Sequence, residues 1–430
     1  MTTEIAIMNR HAVALAADSA VTVRYGGGQQ KIFPSASKVF SLSYDVPVGI
    51  MIYSQASFMG VPWETIIKQY REQIGDTCCA TVEEYAKEFI NYLSETKDQF
   101  FPSQQQKKHT SIRISALYED IKTEIICGIR TYIDENGSIS EQKLKRLVTD
   151  VVGARWETVE SAPLLHDVDP SDVRSFRLTY HDLIEEKITS VFEELPISQR
   201  SYNRLKKIAA EGLMKAGVLN YNSGIVVAGF GEKDLFPSLV ELRMYLLANE
   251  KLFYEITEPR GVEFENTACI VPFAQKDVIH TFMEGIDPEL KGFIDKYIQR
   301  LLSDYPKMIL DSIDAIDEQD KQDLIDRLEK QTDKLVQNYQ EGAQAYRRES
   351  HIGPVINVVA NLPKEQLAEL AEALVNLTSI KRRFTTDRET VGGPIDVAVI
   401  SKGDGLVWID RKHYFEAEKN VHFLAKYYQG

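Results

Sequence analysis

Met1-Thr2-Thr3-Glu4-Ile5-Ala6-Ile7-Met8-Asn9-Arg10-His11-Ala12-Val13-Ala14-Leu15-Ala16-Ala17-Asp18-Ser19 is the stretch on which the reading of the chain turns. Ile5, Ile7 and the run Ala12 to Ala17 have the apolar character and length of two short buried strands, and Asn9-Arg10-His11 between them reads as a polar turn. In a hairpin of this size the open ends of the strands are neighbours, so Asp18 is expected beside Thr2. Cytosolic methionine aminopeptidase removes Met1 when the next side chain is small, and Thr2 is therefore expected to become the N-terminus. It would carry a hydroxyl and a free α-amine on one residue. A threonine hydroxyl is a weak nucleophile at neutral pH, and an α-amine with an ordinary pKa of ~8 can take its proton. This is the Thr-N-terminus variant of the catalytic triad. Most threonines at a chain start are only frayed ends, so the reading depends on the residues downstream.

A Gly26-Gly27-Gly28 loop comes next, and then Ser37-Lys38-Val39-Phe40-Ser41-Leu42, which reads as a third strand with a lysine at its start. From there Lys38 can reach the same pocket. A lysine beside an amine and a hydroxyl favours the deprotonated form of both, while a buried carboxylate keeps the lysine charged and oriented. Thr2-Thr3, Ala16-Ala17-Asp18-Ser19 and Lys38-Val39, with Asp18 sixteen positions after Thr2, resemble the β subunits of the proteasome and their bacterial relatives among the N-terminal-nucleophile hydrolases. The resemblance implies Thr2 as nucleophile, Lys38 as the cation that lowers the pKa near it, and Asp18 as the carboxylate that fixes Lys38. Gly49 to Ala56 takes the place of the family's Gly-rich turn, where the backbone N–H of Tyr53 or Ser54 would serve as oxyanion hole.

Farther along, Ile225 to Gly231 with Pro237 to Leu242 resembles the family's central hairpin. Gly392 to Ile400, the turn Lys402-Gly403-Asp404-Gly405 and Leu406 to Ile409 resemble its last two strands. Three polar positions differ. The family's arginine two places after the aspartate is Ala20, and its Gly-Ser-Gly turn falls near Pro272-Phe273-Ala274. Its Asp and Ser before the double glycine fall on Arg388 and Val391, with Asp387, Glu389 or Thr390 as the available substitutes. The resemblance covers residues 1–95, 221–275 and 350–412. It implies an α+β fold, a four-layer αββα sandwich, and a threonine peptidase that cleaves peptide or amide bonds through an acyl-enzyme on Thr2. Two alternatives stay open: an amidase or acylase of the same fold acting on a small amide, and a catalytically silent scaffold or regulatory binder.

The rest of the chain reads as a core interrupted by helices. One helix opens at Gly60-Val61-Pro62-Trp63, with the proline in the first turn, and a second at the capping box Thr81-x-x-Glu84, with Val82, Tyr85, Phe89 and Leu93 along one face. The expected segments are 1–96 for the first part of the core, 97–220 for a helical insertion, 221–275 for core strands, 276–349 for a second insertion and 350–430 for the closing part of the core. The insertions include helices over Glu141 to Val151, Leu183 to Glu194, Ser201 to Ala216 and the acidic stretch Asp314 to Gln340. A last helix, with Asn361 and Pro363 as start signals, carries Leu367, Leu370, Ala371, Leu374 and Leu377.

Composition bounds the function classes. The chain has 430 residues, 43% of them apolar and 10% aromatic, enough for one large core or two modest ones. A net charge of −14, from 64 acidic and 50 basic residues, argues against nucleic acid as the main partner. The basic cluster Lys381-Arg382-Arg383 follows a helix end, where cations offset the carbonyl dipole. No run of ~18 apolar residues is present to span a bilayer, and a cytoplasmic location without membrane partner is expected. Cys78, Cys79, Cys127 and Cys269 show neither metal-ligand spacing nor a disulfide framework, so reduced buried thiols are expected. No phosphate-binding loop occurs, because Gly26-Gly27-Gly28 leads to a strand rather than a helix. No metal and no cofactor are expected; a peptide or small amide substrate is, as is symmetric self-association, with an ATPase or other protein partner left open.

Overall fold

The computed structural model describes residues 3–421 except 25–29, 35, 44, 76, 220–221, 314–316, 386–391, 414 and 417–418. The chain starts with β1 (Thr3–Asn9) and β2 (Val13–Asp18), a ribbon of β3 (Ala20–Arg24) and β4 (Gln30–Pro34), then β5 (Val39–Ser41) and β6 (Val48–Tyr53). Two short strands, β7 (Ser57–Phe58) and β8 (Val61–Pro62), lead into α1 (Trp63–Ile74) and α2 (Val82–Glu95). Helices α3 (Lys97–Phe100), α4 (Ser103–Asn136), α5 (Glu141–Ser161), α6 (Pro170–Thr179), α7 (His181–Val191) and α8 (Gln199–Gly212) come next. Strands resume with β9 (Ser223–Gly229), β10 (Ser238–Ala248), β11 (Lys251–Ile256), β12 (Arg260–Gly261) and β13 (Ala268–Ala274). A second helical stretch holds α9 (Asp277–Glu284), α10 (Pro288–Asp311), α11 (Glu318–Arg347), a π-turn (Arg348–Ile352), α12 (Gly353–Val359) and α13 (Lys364–Phe384), before β14 (Ile395–Ser401) and β15 (Gly405–Asp410). The class is α+β with antiparallel sheets.

Two compact units divide this chain. One comprises Met1–Ala36, Gly261–Lys402 and Val407–Gln429; the other is chiefly Ser37–Arg260. Each helical stretch belongs with one sheet: residues 97–220 fall in the second unit and 276–349 in the first.

In the first unit the sheet order is β13-β1-β2-β14-β15. Alternation of side chains sends Ile5, Ile7, Ala12, Ala14, Ala16, Val397 and Val399 to one face, where they form a core with Leu367, Ala371, Leu374 and Val375 of α13. The alanines of β2 are small enough for the helix to lie close. Asn9, fully buried, makes the hairpin turn: its Oδ1 accepts from His11 N (2.9 Å) and Ala12 N (3.2 Å), and its Nδ2 donates to Val359 O (3.0 Å) and Leu362 O (2.9 Å). Asn9→Ala is therefore expected to cost about 2–4 kcal/mol by orphaning these backbone groups, seen in urea melts as a lower midpoint at unchanged slope. A loss below about 0.5 kcal/mol would mean that water replaces the amide.

The long helices carry their own solutions. Pro306 lies inside α10 and has no N–H for the carbonyl of Leu302; the hydroxyl of Thr332, on α11, donates to that carbonyl instead (3.3 Å). Lys381 and Arg382 sit in the last turn of α13 rather than beyond it. They pair with Asp277 and Asp287, and Arg382 Nε also donates to Gln275 Oε1 (2.6 Å).

In the second unit the order is β11-β10-β9-β6-β5, with β12 paired to β10. The expected face of α2 is buried: Val82, Tyr85, Phe89 and Leu93 join Trp63, Phe58 and Phe101 and the sheet residues Ile50, Ile225, Val227 and Leu242 in one core. Thr81 caps α2, accepting from Glu84 N (3.3 Å), while Glu84 reaches back to Ala80 N (2.7 Å) rather than to the cap residue's own N–H. Pro62 is the residue before α1, not in its first turn.

Several expectations need correction. Val39–Ser41 is the fifth strand, because the ribbon β3–β4 intervenes. Pro272–Ala274 lies in strand β13, not in a turn. Of the four free thiols only Cys79 is buried; Cys78 and Cys127 are exposed and Cys269 is intermediate. Among the described residues, no helix is long and apolar enough to cross a membrane, and no group of three or more His, Cys, Asp or Glu could hold a metal ion.

Candidate active site

Thr2, Asp387 and Thr390 lie outside the described residues. What the structure describes is the ground on which Thr2 would stand. Asp18 ends β2 and is 1% exposed. The register pairs Glu4 with Ala17, which sets Asp18 opposite Thr3. Asp18 Oδ1 accepts from Thr3 N (3.0 Å), the N–H of the peptide bond that joins Thr2 to Thr3. Asp18 Oδ2 accepts from Gly392 N (3.1 Å) and, less closely, from Ala20 N (3.4 Å). A buried carboxylate needs such donors, since charge without hydrogen bonds is costly inside a protein. Its backbone donors come from the start of β1, from β3 and from the stretch leading into β14.

That last stretch turns through two glycines. Gly392 and Gly393 have φ of 153° and 85°, values that suit glycine, and Ser19 Oγ donates to Pro394 O just beyond them. On the other side of β1, Thr3 faces Ala274, a non-glycine residue at φ 56°. Such a conformation costs on the order of 1 kcal/mol or more and is held here by its surroundings. The next residue, Gln275, is buried and accepts from Arg382 Nε. Thr3 Oγ1 is buried with no hydrogen-bond partner among the described residues.

Three participants in this end of the sheet escape a reading of the sequence alone. Ala274 and Gln275 carry no sequence signal, since a strained alanine looks like any other. Glu4 has one: a carboxylate within Thr3-Glu4-Ile5-Ala6-Ile7 that is fully buried. It shares a cross-strand row with Phe273, Ala17 and Asp396, and Asp396 accepts from Lys412 N (2.9 Å) and Nζ (2.7 Å).

In the second unit, Lys38 is 3% exposed at the start of β5, and its carbonyl accepts from Ile52 N (2.8 Å). Since Ile52 N–H turns toward Lys38, alternation turns Tyr53 N–H toward β9, into the sheet. The Tyr53 side chain is occupied as well. Its hydroxyl donates to Glu241 Oε1, to which Arg243 Nε also donates (3.0 Å). Burial and the neighbouring Glu241 charge push the Tyr53 phenol far above its ordinary pKa, so it stays protonated. The Tyr53 ring covers Gly224, its cross-strand partner. Ser54 comes next, exposed, at φ 67°.

No protein-family model and no curated protein matches the chain.

Proposed function

We propose that the protein is a proteasome-β-like threonine hydrolase of the N-terminal-nucleophile type, with Thr2 as nucleophile once Met1 is removed. The observation that carries the reading is the Asp18 carboxylate, buried and hydrogen-bonded to the N–H of the Thr2–Thr3 peptide. An N-terminal nucleophile must be positioned through the one peptide bond that holds it, and Asp18 clamps that bond.

In the proposed reaction the Thr2 amine takes the hydroxyl proton, Oγ attacks the substrate carbonyl, and the tetrahedral oxyanion is stabilised by a backbone N–H at the end of β6. Because Tyr53 N–H turns toward β9, Ser54 is the better donor. The amine then gives the proton to the leaving nitrogen, and water hydrolyses the acyl-threonine. Lys38 would lower the pKa at Thr2, with Asp18 fixing its ammonium. Ala36 N donates to Ser19 O (3.2 Å), two residues before Lys38, which supports a path of the chain past Asp18. The αββα sandwich belongs to the same proposal: each unit supplies a sheet with helices against it, and residues of both faces of β1, β2 and β6 are buried. The helices α4 to α8 and α9 to α11 are then insertions into that core, which is expected to act in the cytoplasm on a peptide or small amide.

An electrophile that bonds both hydroxyl and amine, such as an epoxyketone, tests the reading, because only a residue with both groups on adjacent carbons closes the resulting ring. Peptide mass mapping should find the adduct on Thr2 and lose it in Thr2→Ala. Processed protein that takes up none of these reagents and cleaves no fluorogenic peptide would be a scaffold, a reading that Ala20 favours, fully buried where the family has arginine. Adduct formation without peptide turnover would point to an amidase. A further expectation concerns the amine: a version with one untrimmable extra N-terminal residue should fold with an unchanged melt and lose turnover. Full activity in that version removes the amine from the mechanism.

A further inference from the structure

Helix α10 presents two different faces. One is held to α11 through Thr332 and Leu302 O, Tyr339 and Asp295 (3.2 Å), and Lys307 and Glu329 (3.0 Å). The other carries Phe293, Tyr297, Leu301, Tyr305 and Met308 at helical spacing, exposed by 65, 57, 52, 61 and 68%. Phe293 and Tyr297 stack with ring centroids 6.0 Å apart. Ile309, 43% exposed, extends the stripe. At about 200 Å² for a side chain of this size, the six expose roughly 700 Å². That exceeds the apolar patch of a typical monomer, ~300–600 Å², and approaches the ~800 Å² that one partner gives to a standard interface.

The charges beside the stripe specify what covers it. Lys296, Arg300, Asp304, Lys307 and Asp311 run along one flank; Lys307 is paired with Glu329, and the other four form no ion pair among the described residues. In two antiparallel helices related by a two-fold axis, like flanks face each other. Lys296 and Arg300 of one copy would then lie on either side of Asp304 of the other, whereas a parallel pair would turn this flank to the partner's opposite flank and leave these charges unmatched. The apolar stripe matches itself in the same arrangement. With the axis at Leu301, Tyr297 meets Tyr305 and Phe293 meets Ile309.

We propose that α10 pairs with α10 of a second copy of this chain, antiparallel about a two-fold axis near Leu301. Sedimentation of the full chain across a wide concentration range reads the result. The wild type should form a dimer, and Tyr297→Glu should abolish it while leaving circular dichroism unchanged, since the side chain is exposed. Arg300→Glu and Asp304→Arg should each weaken the dimer about 10-fold or more by placing like charges across the axis, and combining them should restore most of the affinity. Leu301→Cys, oxidised, should give a covalent dimer whose disulfide joins position 301 to itself. A monomer at every concentration overturns the proposal, as does a dimer indifferent to Tyr297→Glu, a charge-swapped double variant no tighter than the single ones, or a monomer whose stripe binds lipid vesicles instead.

Discussion

Asp18→Asn and Lys38→Ala should each lower turnover by ~100-fold or more, and the double variant should be little worse than either one. Residues that act as a unit lose their whole effect when one member goes, so their losses do not add. For Asp18 the structure gives a reason independent of the lysine. Both carboxylate oxygens accept backbone N–H groups, from Thr3 at 3.0 Å and Gly392 at 3.1 Å. An amide keeps one acceptor and turns its NH2 against the other N–H, so Asp18→Asn should also lose about 2–4 kcal/mol of stability. Kinetics must be measured where the variant is still folded. Lys38→Ala separates the two effects, because it leaves both of those hydrogen bonds intact. Strictly additive losses in the double variant would show that the residues serve separate purposes.

Gly224→Ala should be among the most destabilising substitutions of one methyl group in the chain, costing about 3 kcal/mol or more. An added Cβ would stand 1.9 Å from Cε1 and Cζ of Tyr53. The ring cannot easily swing away, since its hydroxyl is bonded to the buried Glu241 that Arg243 also holds. Tyr53→Ala alone should cost about 3–5 kcal/mol through the cavity it leaves. The informative measurement is the second step: Gly224→Ala introduced into the Tyr53→Ala protein should cost less than about 1 kcal/mol, because the clash has gone. An equal cost in both backgrounds would mean that the backbone of β9, not the ring, requires glycine.

The first hairpin is legible in the sequence because two buried strands and a polar turn are local signals. β2 closes on Asp18 as its sequence suggests, and Leu367, Ala371 and Leu374 form the buried face of α13, although Leu377 of the same expected face is exposed. The features that cannot be read have a common physical cause: partners far apart in the chain. Gly392, donor to Asp18, is 374 positions away, and Glu241, partner of Tyr53, is 188. Position alone suggests Tyr53 for its backbone, whereas the fold uses its hydroxyl. Lys381 and Arg382 look like counterions of a helix dipole, and they bind the acidic side chains at the start of α9 and α10. Helix α4, 34 residues long, does not stand out as one element. Its buried side chains, such as Ile114, Tyr118, Ile121 and Ile125, are diluted by polar residues around the rest of its circumference.

The sheet order β13-β1-β2-β14-β15 has a consequence for biosynthesis. Strand β1 lies between β2 and a strand that is made some 260 residues later, and Asp18 gains its Gly392 donor only when a residue 374 positions further on has been made. At ~5–20 residues per second, roughly ten to fifty seconds separate the appearance of β1 from that of β13. During that interval β1 can pair with β2 alone, and its other edge stays open.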